Sequence, residues 1–410
     1  MTEPPIVARN TTIDGETFSL VVTTHHDGIV ATTAIHRNDF PQHIGGARFV
    51  ETAGGLSEVG HLSSTMTEKC MAAMIPADGQ KSVIVTGPGV ELSDERKAEI
   101  LVEHVRAVRE LDRGTIVGPD MNNPEAVQDL AAQAEGMLDH FTGLSESVRG
   151  LSIDTYGYTA HGLVAAIRAC VDDASLATLR VSIQGFGAVG AHVARLLAEL
   201  GAKVVAVNNK DVLLTNRDGL DVAALFANRE QHGDEGLKHF AANGTGFHVS
   251  HTPDDIFQVA TDVFVPAGRT EVLAMAEELA HDRESENPDV RDVAEFHAAT
   301  GVRLIVEGAN HPISANAEHW LEARGVRILP DFIVNCGGLI GCWVEWQARH
   351  RDGLRPVVDL ASVGQQAREQ IRETVTANVK ELLAADVPAR EAAKRIVQRN
   401  RERLLARRNG

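Results

Sequence analysis

Leu179-Arg180-Val181-Ser182-Ile183-Gln184 is a short apolar run that breaks at once into Gly185-Phe186-Gly187-Ala188-Val189-Gly190. His192 to Leu200 then carries apolar residues at helical spacing. Gly201 ends that stretch, and Lys203-Val204-Val205-Ala206-Val207 reads as a second strand. A strand, a glycine turn, a helix and a strand in this order imply parallel strands joined by a crossover helix. Gly-x-Gly-x-x-Gly is weak evidence alone, but this context is the one that gives it meaning. Gly185 would make the tight turn, Gly187 would let the backbone approach a pyrophosphate, and Gly190 would let the helix pack close to the strand. Phe186, Ala188 and Val189 complete the expected dinucleotide turn.

The second strand of such a unit ends in an acid when it binds a ribose 2′-hydroxyl. Here it ends Val207-Asn208-Asn209-Lys210-Asp211. Neutral Asn209 removes repulsion of a 2′-phosphate and Lys210 can pair with one. The expectation leans weakly to NADP, with NAD left open because Asp211 can turn inward.

The rest of the chain extends this pattern. Further strands are expected at 263–265, 303–306 and 326–329, alternating with helices at 253–258, 270–281 and 314–324. Upstream, Phe18 to Thr24 and Gly28 to Ile35 read as adjacent strands and Ser82 to Gly87 as another. Helices are expected at 56–74, at 93–111 with Ser93 as N-cap, and at 124–139. After Cys342 the chain reads as helix at 344–350, 360–386 and 389–407. The polar stretch 281–292 reads as a surface loop. The expectation is an α/β protein with a domain at 1–150, a dinucleotide-binding domain at 151–338, and C-terminal helices at 339–410.

Length and composition narrow the class. At 410 residues the chain can build two or three domains, and 43% apolar and 23% charged residues are ordinary for a soluble globular protein. A net charge of -18 argues against nucleic acid and anionic membrane surfaces as partners. No apolar run is long enough to span a bilayer, and Met1 to Asn10 lacks a signal pattern. Four scattered cysteines fit a reducing cytoplasm, and the His25-His26 doublet lacks the companions of a metal site, so no metal is expected.

Lysine usage points to chemistry. The chain has 31 arginines and only 8 lysines, yet Lys69 and Lys81 bracket a mostly apolar, small-residue stretch. A buried lysine can shift its pKa and act as a base, which arginine cannot. With Gly45-Gly46-Ala47-Arg48-Phe49, Lys69, Lys81, Gly118-Pro119-Asp120-Met121-Asn122 and Thr159-Ala160-His161-Gly162, the chain resembles the glutamate/leucine/phenylalanine/valine dehydrogenase family. The resemblance continues through the glycine turn, Asn216-Arg217-Asp218-Gly219, Glu307-Gly308-Ala309-Asn310, Pro330-Asp331 and Asn335-Cys336-Gly337-Gly338, in family order.

This resemblance implies an N-terminal α/β substrate domain, a Rossmann-type doubly wound dinucleotide domain, and C-terminal helices returning to the first. It implies a substrate cleft between the domains and oxidative deamination of an L-amino acid to a 2-oxo acid and ammonia with NAD(P). Lys69 would hold the substrate α-carboxylate beside Gly45 and Gly46. Lys81, its pKa lowered by burial and by its neighbour's charge, would be the base, and Asp120 would shuttle the proton on nitrogen. Thr159 and Asn310 would position the nicotinamide, and Asn335 would lie near both ligands. Members usually form hexamers or octamers, so a homo-oligomer is expected, with a hexamer favoured and Phe18 to Ile35 supplying an edge.

Two departures bear on specificity and rate. Glutamate-specific members carry a lysine before the Gly-Gly pair, where this chain has Ile44, and a serine where it has Cys342. Losing a charge-assisted contact to a buried carboxylate costs about 2–5 kcal/mol. The expectation is therefore a neutral side chain, with glutamate dehydrogenase as the alternative and a non-catalytic nucleotide-binding regulatory homologue as a second. Second, family members have glycines where Asp78-Gly79-Gln80 precedes Lys81, and Asp78 is expected to raise the pKa of Lys81.

Overall fold

A computed structural model describes residues 6–13, 15–25, 27–36, 39–52, 54–281, 290–351 and 359–409. His26 and most of the expected polar loop at 281–292 lie outside the described residues. The chain divides into two compact units. One comprises Met1–Tyr156, Gly338–Gln370 and the residues from Val397 on; the other comprises Gly157–Gly337 and Ile371–Ile396.

The first unit is built on β1 (Ile6–Ile13), β2 (Glu16–Thr24), β3 (Val30–His36), β4 (His43–Val50), β5 (Asp78–Val85) and β6 (Thr115–Gly118). Their order is β1-β2-β3-β5-β4-β6. β1 to β3 and β5 pair antiparallel, whereas β5, β4 and β6 run parallel. The segments within Phe18–Ile35 are thus interior, and β1 and β6 form the edges. Helices α1 (Gly55–Ala72), α2 (Asp94–Leu111) and α3 (Glu125–Ala132) pack on the sheet. Phe18, Leu20, Ala34 and Val83 pack with Val59 of α1 on one face. Ala47, Phe49, Ile84 and Val117 pack with Ile100, Leu101 and Val105 of α2 on the other. The Ser93 hydroxyl accepts from Arg96 N at 3.3 Å and caps α2, with Asp94 and Glu95 in its first turn.

Two expectations here are corrected. The helix expected at 124–139 ends at Ala132, and Gly136 adopts φ 72°, outside helical backbone. The strand expected from Ser82 begins four residues earlier, so Asp78-Gly79-Gln80 is strand rather than loop.

The second unit opens with α4 (Tyr158–Cys170) and α5 (Asp173–Leu176). The chain continues through β7 (Arg180–Gln184), α6 (Ala188–Glu199), β8 (Lys203–Asn208), β9 (Leu213–Thr215), α7 (Val222–His232), α8 (Gly236–Asn243), β10 (His248–Ser250) and β11 (Val263–Pro266). Next come β12 (Leu273–Ala274), α9 (Ala276–His281), β13 (Arg291–Asp292), α10 (Val293–Thr300), β14 (Leu304–Val306), α11 (Ala315–Glu322), β15 (Arg327–Leu329) and α12 (Asp331–Val334). The last helices are α13 (Gly337–Arg351), α14 (Leu360–Leu383) and α15 (Ala389–Asn409).

The large sheet runs β10-β9-β8-β7-β11-β14-β15. β8, β7, β11, β14 and β15 are parallel, as expected, while β9 and β10 add an antiparallel edge. β7 has β8 on one side and β11 on the other, so the strand order reverses about its carboxyl end. Open α/β sheets bind ligands at such a crevice. Phe257, Phe264 and Phe296, with ring centroids 5.0–6.1 Å apart, pack in the core that carries this sheet. The expected helix at 270–281 is only α9, because Leu273–Ala274 pairs with β13 instead.

Candidate active site

Register decides what meets in the first unit. Ile44 lies opposite Gly79 and Ala47 opposite Ser82, which sets Gly46 opposite Lys81. On the other side Gly46 pairs with Gly118. Side chains alternate along a strand. Ile44, Gly46, Arg48, Lys81, Ile116 and Gly118 therefore share one face. A Cβ on Gly46 would stand 2.8 Å from Asp120 Cβ, 2.9 Å from Pro119 O and 3.3 Å from Lys81 Nζ. On Gly45 it would stand 1.7 Å from Gln80 O. Neither position tolerates a side chain without movement of backbone, and at Gly46 the bare backbone faces an amine and a carboxylate.

Lys81 Nζ lies 2.5 Å from Asp120 Oδ2, and Arg48 Nε donates to the same oxygen at 2.8 Å. Lys81 is buried, and desolvation pulls its pKa below the ordinary lysine value. Asp120 opposes that shift and Arg48 adds to it. Burial alone would raise Asp120, but the charges of Lys81 and Arg48 outweigh it and hold the carboxyl well below the usual carboxylate range. The cationic neighbour that lowers Lys81 is thus Arg48, where the sequence had pointed to Lys69.

Asp78 does not act on Lys81 as expected. Its Oδ2 accepts from the backbone N of Asp39 at 2.6 Å and of Phe40 at 3.0 Å. Gln80 Nε2 donates to Ile116 O at 2.8 Å, and its Oε1 accepts from the Thr115 hydroxyl. Both side chains brace β5 against its neighbours.

α1 lies flush on the same face: a Cβ on Gly79 would stand 2.2 Å from Ser63 O. Thr67 Oγ1 accepts from Gly79 N at 2.8 Å and bonds His36 Nδ1 at 2.9 Å. Lys69, two residues on, sits buried in the last turn of α1. Cys342 on α13 reaches this face as well. Its Sγ lies 3.8 Å from where a Gly118 Cβ would be and 3.4 Å from that of Gly143, which adopts φ 68°. Burial, with Glu345 nearby, pushes the Cys342 thiol up, so it is a protonated thiol. Thr142 Oγ1 donates to Cys342 O at 2.7 Å, and Arg349 Nη1 pairs with Glu345 at 2.6 Å beneath it.

The second unit holds the glycine turn. Gly185 adopts φ 95°, and a Cβ there would stand 2.4 Å from Gly268 Cα, against the end of β11. A Cβ on Gly190 would stand 1.8 Å from Gly185 O, so helix and turn touch. Gly187 has no protein atom within 4 Å of that point and caps α6. Its open backbone at a helix N-terminus fits a pyrophosphate. Phe186 is buried, and Ala188 and Val189 begin α6 half-buried. Asn208 Oδ1 accepts from Gly185 N at 2.8 Å and fixes the turn. Asn209 Oδ1 accepts from Asp211 N and Val212 N, at 2.9 and 3.0 Å, and Lys210 is exposed.

Thr159 lies half-buried in the first turn of α4. A Cβ on Gly337 would stand 3.1 Å from its Cα, so α4 is pressed against the segment after α12. Asn335 in that segment donates from Nδ2 to Gly308 O at 3.2 Å and to Asn310 Oδ1 at 3.1 Å. Its buried Oδ1 finds no donor among the described residues. That leftover acceptor suits an amide such as that of nicotinamide.

The sequence reading gave Arg48 no part beside Lys81 and Asp120 and assigned no role to Gly118, Gly143 or Asn208. Arg48 stands two residues after Gly46, which was the available signal. His25 pairs with Glu103 at 2.8 Å, and no cluster that could hold a metal occurs among the described residues. No helix among them is long and apolar enough to cross a membrane.

Comparison with known proteins identifies the family and the fold. Residues 150–401 match the Glutamate/Leucine/Phenylalanine/Valine dehydrogenase family. The chain is 27% identical over 335 residues to an NADP-specific glutamate dehydrogenase of Saccharolobus shibatae, covering 78% of this chain and 71% of that one. It is 28% identical over 341 residues to NADP-specific glutamate dehydrogenase A1 of Halobacterium salinarum, covering 79% and 75%. Its fold is similar to the hetero-hexameric glutamate dehydrogenase of Thermus thermophilus in a Leu-bound form, with a TM-score of 0.70 at 21% identity over 99% of this chain and 89% of that one. It is also similar to a glutamate dehydrogenase of Plasmodium falciparum, with a TM-score of 0.73 at 16% identity over 100% and 84%. The chain belongs to the Glutamate/Leucine/Phenylalanine/Valine dehydrogenase family and is an NAD(P)-dependent amino acid dehydrogenase acting on a CH–NH2 group.

Proposed function

We propose that the protein oxidatively deaminates an L-amino acid with a neutral side chain, with Lys81 as base and Asp120 as proton carrier. The observation that carries the roles is the meeting of Lys81 Nζ and Asp120 beside the bare backbone of Gly46. Asp120, ionised, takes a proton from the substrate ammonium. A bound nicotinamide cofactor would supply the acceptor for the α-carbon hydride, which leaves the substrate as a protonated imine. Lys81, neutral, takes a proton from the water that attacks the resulting imine. Asp120 returns its proton to the carbinolamine nitrogen, the C–N bond breaks with loss of ammonia, and the hydroxyl proton departs as the 2-oxo acid forms. Lys69 anchors the α-carboxylate beside Gly45 and Gly46, and Asn335 sits near substrate and cofactor alike. Thr159 and Asn310 serve the nicotinamide end.

The side-chain reading rests on Ile44 and Cys342, which put an aliphatic group and a thiol on the face that holds Lys81. Arg48, a cation on the same face, is paired with Asp120. Glutamate is the second reading, and the names of the relatives favour it. NADP is favoured over NAD by exposed Lys210, by neutral Asn209 and by the NADP-specific relatives. A homo-oligomer, hexameric by analogy with the solved relative, would use the open edge of β1.

The test is a spectrophotometric scan of the proteinogenic L-amino acids with each cofactor, repeated with Lys81→Ala. Reduction with an aliphatic or aromatic substrate, lost in the variant, is expected. Reduction with glutamate alone overturns the side-chain reading. Near-full turnover of Lys81→Ala overturns the role given to that lysine.

A further inference from the structure

We propose that Arg390, in the first turn of α15, is a positioning residue for the nicotinamide end of the cofactor site. It acts through the two segments that carry Asn310 and Asn335. The inference rests on the reading above that these asparagines serve the nicotinamide.

One guanidinium holds three carboxylates. Nε donates to both oxygens of Glu318 at 3.0 and 2.9 Å, and Nη2 donates to Glu318 at 2.5 Å and to Glu307 Oε2 at 2.8 Å. Nη1 donates to Asp331 Oδ1 at 3.2 Å. The side chains of Glu307 and Asp331 are fully buried, and that of Glu318 nearly so. Burial drives Glu307 well above the ordinary carboxyl value, with Asp331 and Glu318 adding to the shift and Arg390 opposing it.

The contacts run on toward the site. Glu307 Oε2 also accepts from Asp331 N at 2.9 Å, joining the end of β14 to the end of β15. Asp331 Oδ2 accepts from His311 N at 3.2 Å. His311 adopts φ 44°, a left-handed conformation that a residue with a Cβ holds only when its surroundings fix it. Asn310 precedes it directly and accepts from Asn335. The planar fork of Arg390 therefore sets the spacing of two turns whose ends are the two asparagines. Charge neutralisation alone would not need that fork, since a lysine supplies charge without it.

The experiment uses the full-length protein as wild type, Arg390→Lys, Arg390→Met and Asn335→Ala. For each, the dissociation constant is measured for the oxidised dinucleotide that the wild type reduces and for the matching ADP-ribose fragment, which lacks nicotinamide. Melting temperature, KM and kcat are recorded alongside. Arg390→Lys is expected to bind the fragment within about twofold of wild type. It should bind the dinucleotide at least about tenfold more weakly, with kcat down by about 10- to 100-fold. Arg390→Met should show a larger loss in the same direction. If fragment and dinucleotide weaken together, or neither weakens, or Arg390→Lys itself does not fold, the positioning role is overturned. A selective loss in Asn335→Ala without one in Arg390→Lys sinks this inference alone. No selective loss in Asn335→Ala sinks the nicotinamide reading beneath it.

Discussion

Restoring the charge that glutamate recognition wants is the sharpest way to test the substrate reading. Ile44 is 1% exposed and lies between Gly79 and Ile116 on the face that carries Lys81. Ile44→Lys removes an apolar side chain whose burial is worth about 1.5–3 kcal/mol. The lysine stem regains part of this, but the ammonium is left in a buried site that already holds Lys81 and Arg48. The variant should therefore be less stable than wild type by about 1–3 kcal/mol when no substrate is bound. Cys342→Ser exchanges a raised-pKa thiol for a hydroxyl of similar size beside Gly118.

The gain is on the substrate side. A charge-assisted contact to a buried carboxylate is worth about 2–5 kcal/mol. At about 1.4 kcal/mol per factor of ten, that raises the glutamate-to-leucine ratio of kcat/KM by about 30- to 4,000-fold. The assay is initial-rate kinetics on both amino acids for wild type, each single variant and the double variant. Added glutamate should also raise the melting temperature of the double variant. An unchanged ratio in a folded double variant would refute the placement of Ile44 at the side-chain end of the pocket. A wild type that already prefers glutamate would refute the whole argument from Ile44.

Two other perturbations separate the roles of neighbouring groups. Asp120→Asn removes the carboxylate that props up the pKa of Lys81, leaving burial and Arg48 to lower it further. Turnover should fall by about 10²- to 10⁴-fold and the acid limb of kcat/KM should move to lower pH; a limb that stays in place refutes Lys81 as the titrating base. Because the folded pKa of Lys81 lies below its unfolded value, the unfolded chain binds more protons between the two, and stability rises with pH across that window. In Asp120→Asn the window extends further down, which urea midpoints taken across pH will show. In the glycine turn, Gly190→Ala places a Cβ 1.8 Å from Gly185 O, so overpacking of about 1–3 kcal/mol should lower the melting temperature. Gly187→Ala meets no protein atom within 4 Å and should leave melting unchanged while weakening the cofactor. Equal cofactor affinity in Gly187→Ala and wild type would argue that no pyrophosphate lies there.

How much of this was legible depended on whether the controlling interactions were local. β7, α6 and β8 announce themselves, because apolar period and glycine placement act within a few residues. β4 does not: Gly45 and Gly46 have poor strand propensity, and the segment is strand because β5 and β6 flank it with backbone hydrogen bonds. The helix at 124–139 was overextended because an apolar period continues past Gly136, whose backbone conformation no period encodes.

The same division runs through the candidate site. Lys81 and Asp120 could be singled out as residue types, but their meeting depends on a register that sets Gly46 opposite Lys81 and the end of β6 beside both. Register also explains why Arg48 was given no part in that pair, since it reaches Asp120 only because it lies on the same face two residues beyond Gly46. Asp78 was misread for the opposite reason. Proximity in sequence to Lys81 suggested an electrostatic effect, yet a strand sends adjacent side chains apart, and Asp78 spends its charge on the amides of Asp39 and Phe40. Arg390 is the extreme case. Nothing near it in sequence marks it, because its partners Glu307, Glu318 and Asp331 come from three distant segments. Residue type thus told what chemistry this chain can do. Strand register brings Gly46, Arg48, Lys81 and Asp120 together, and three distant segments meet at Arg390, so substitutions at Gly46, Arg48 or Arg390 should disturb the proposed catalysis as surely as substitutions at Lys81 or Asp120.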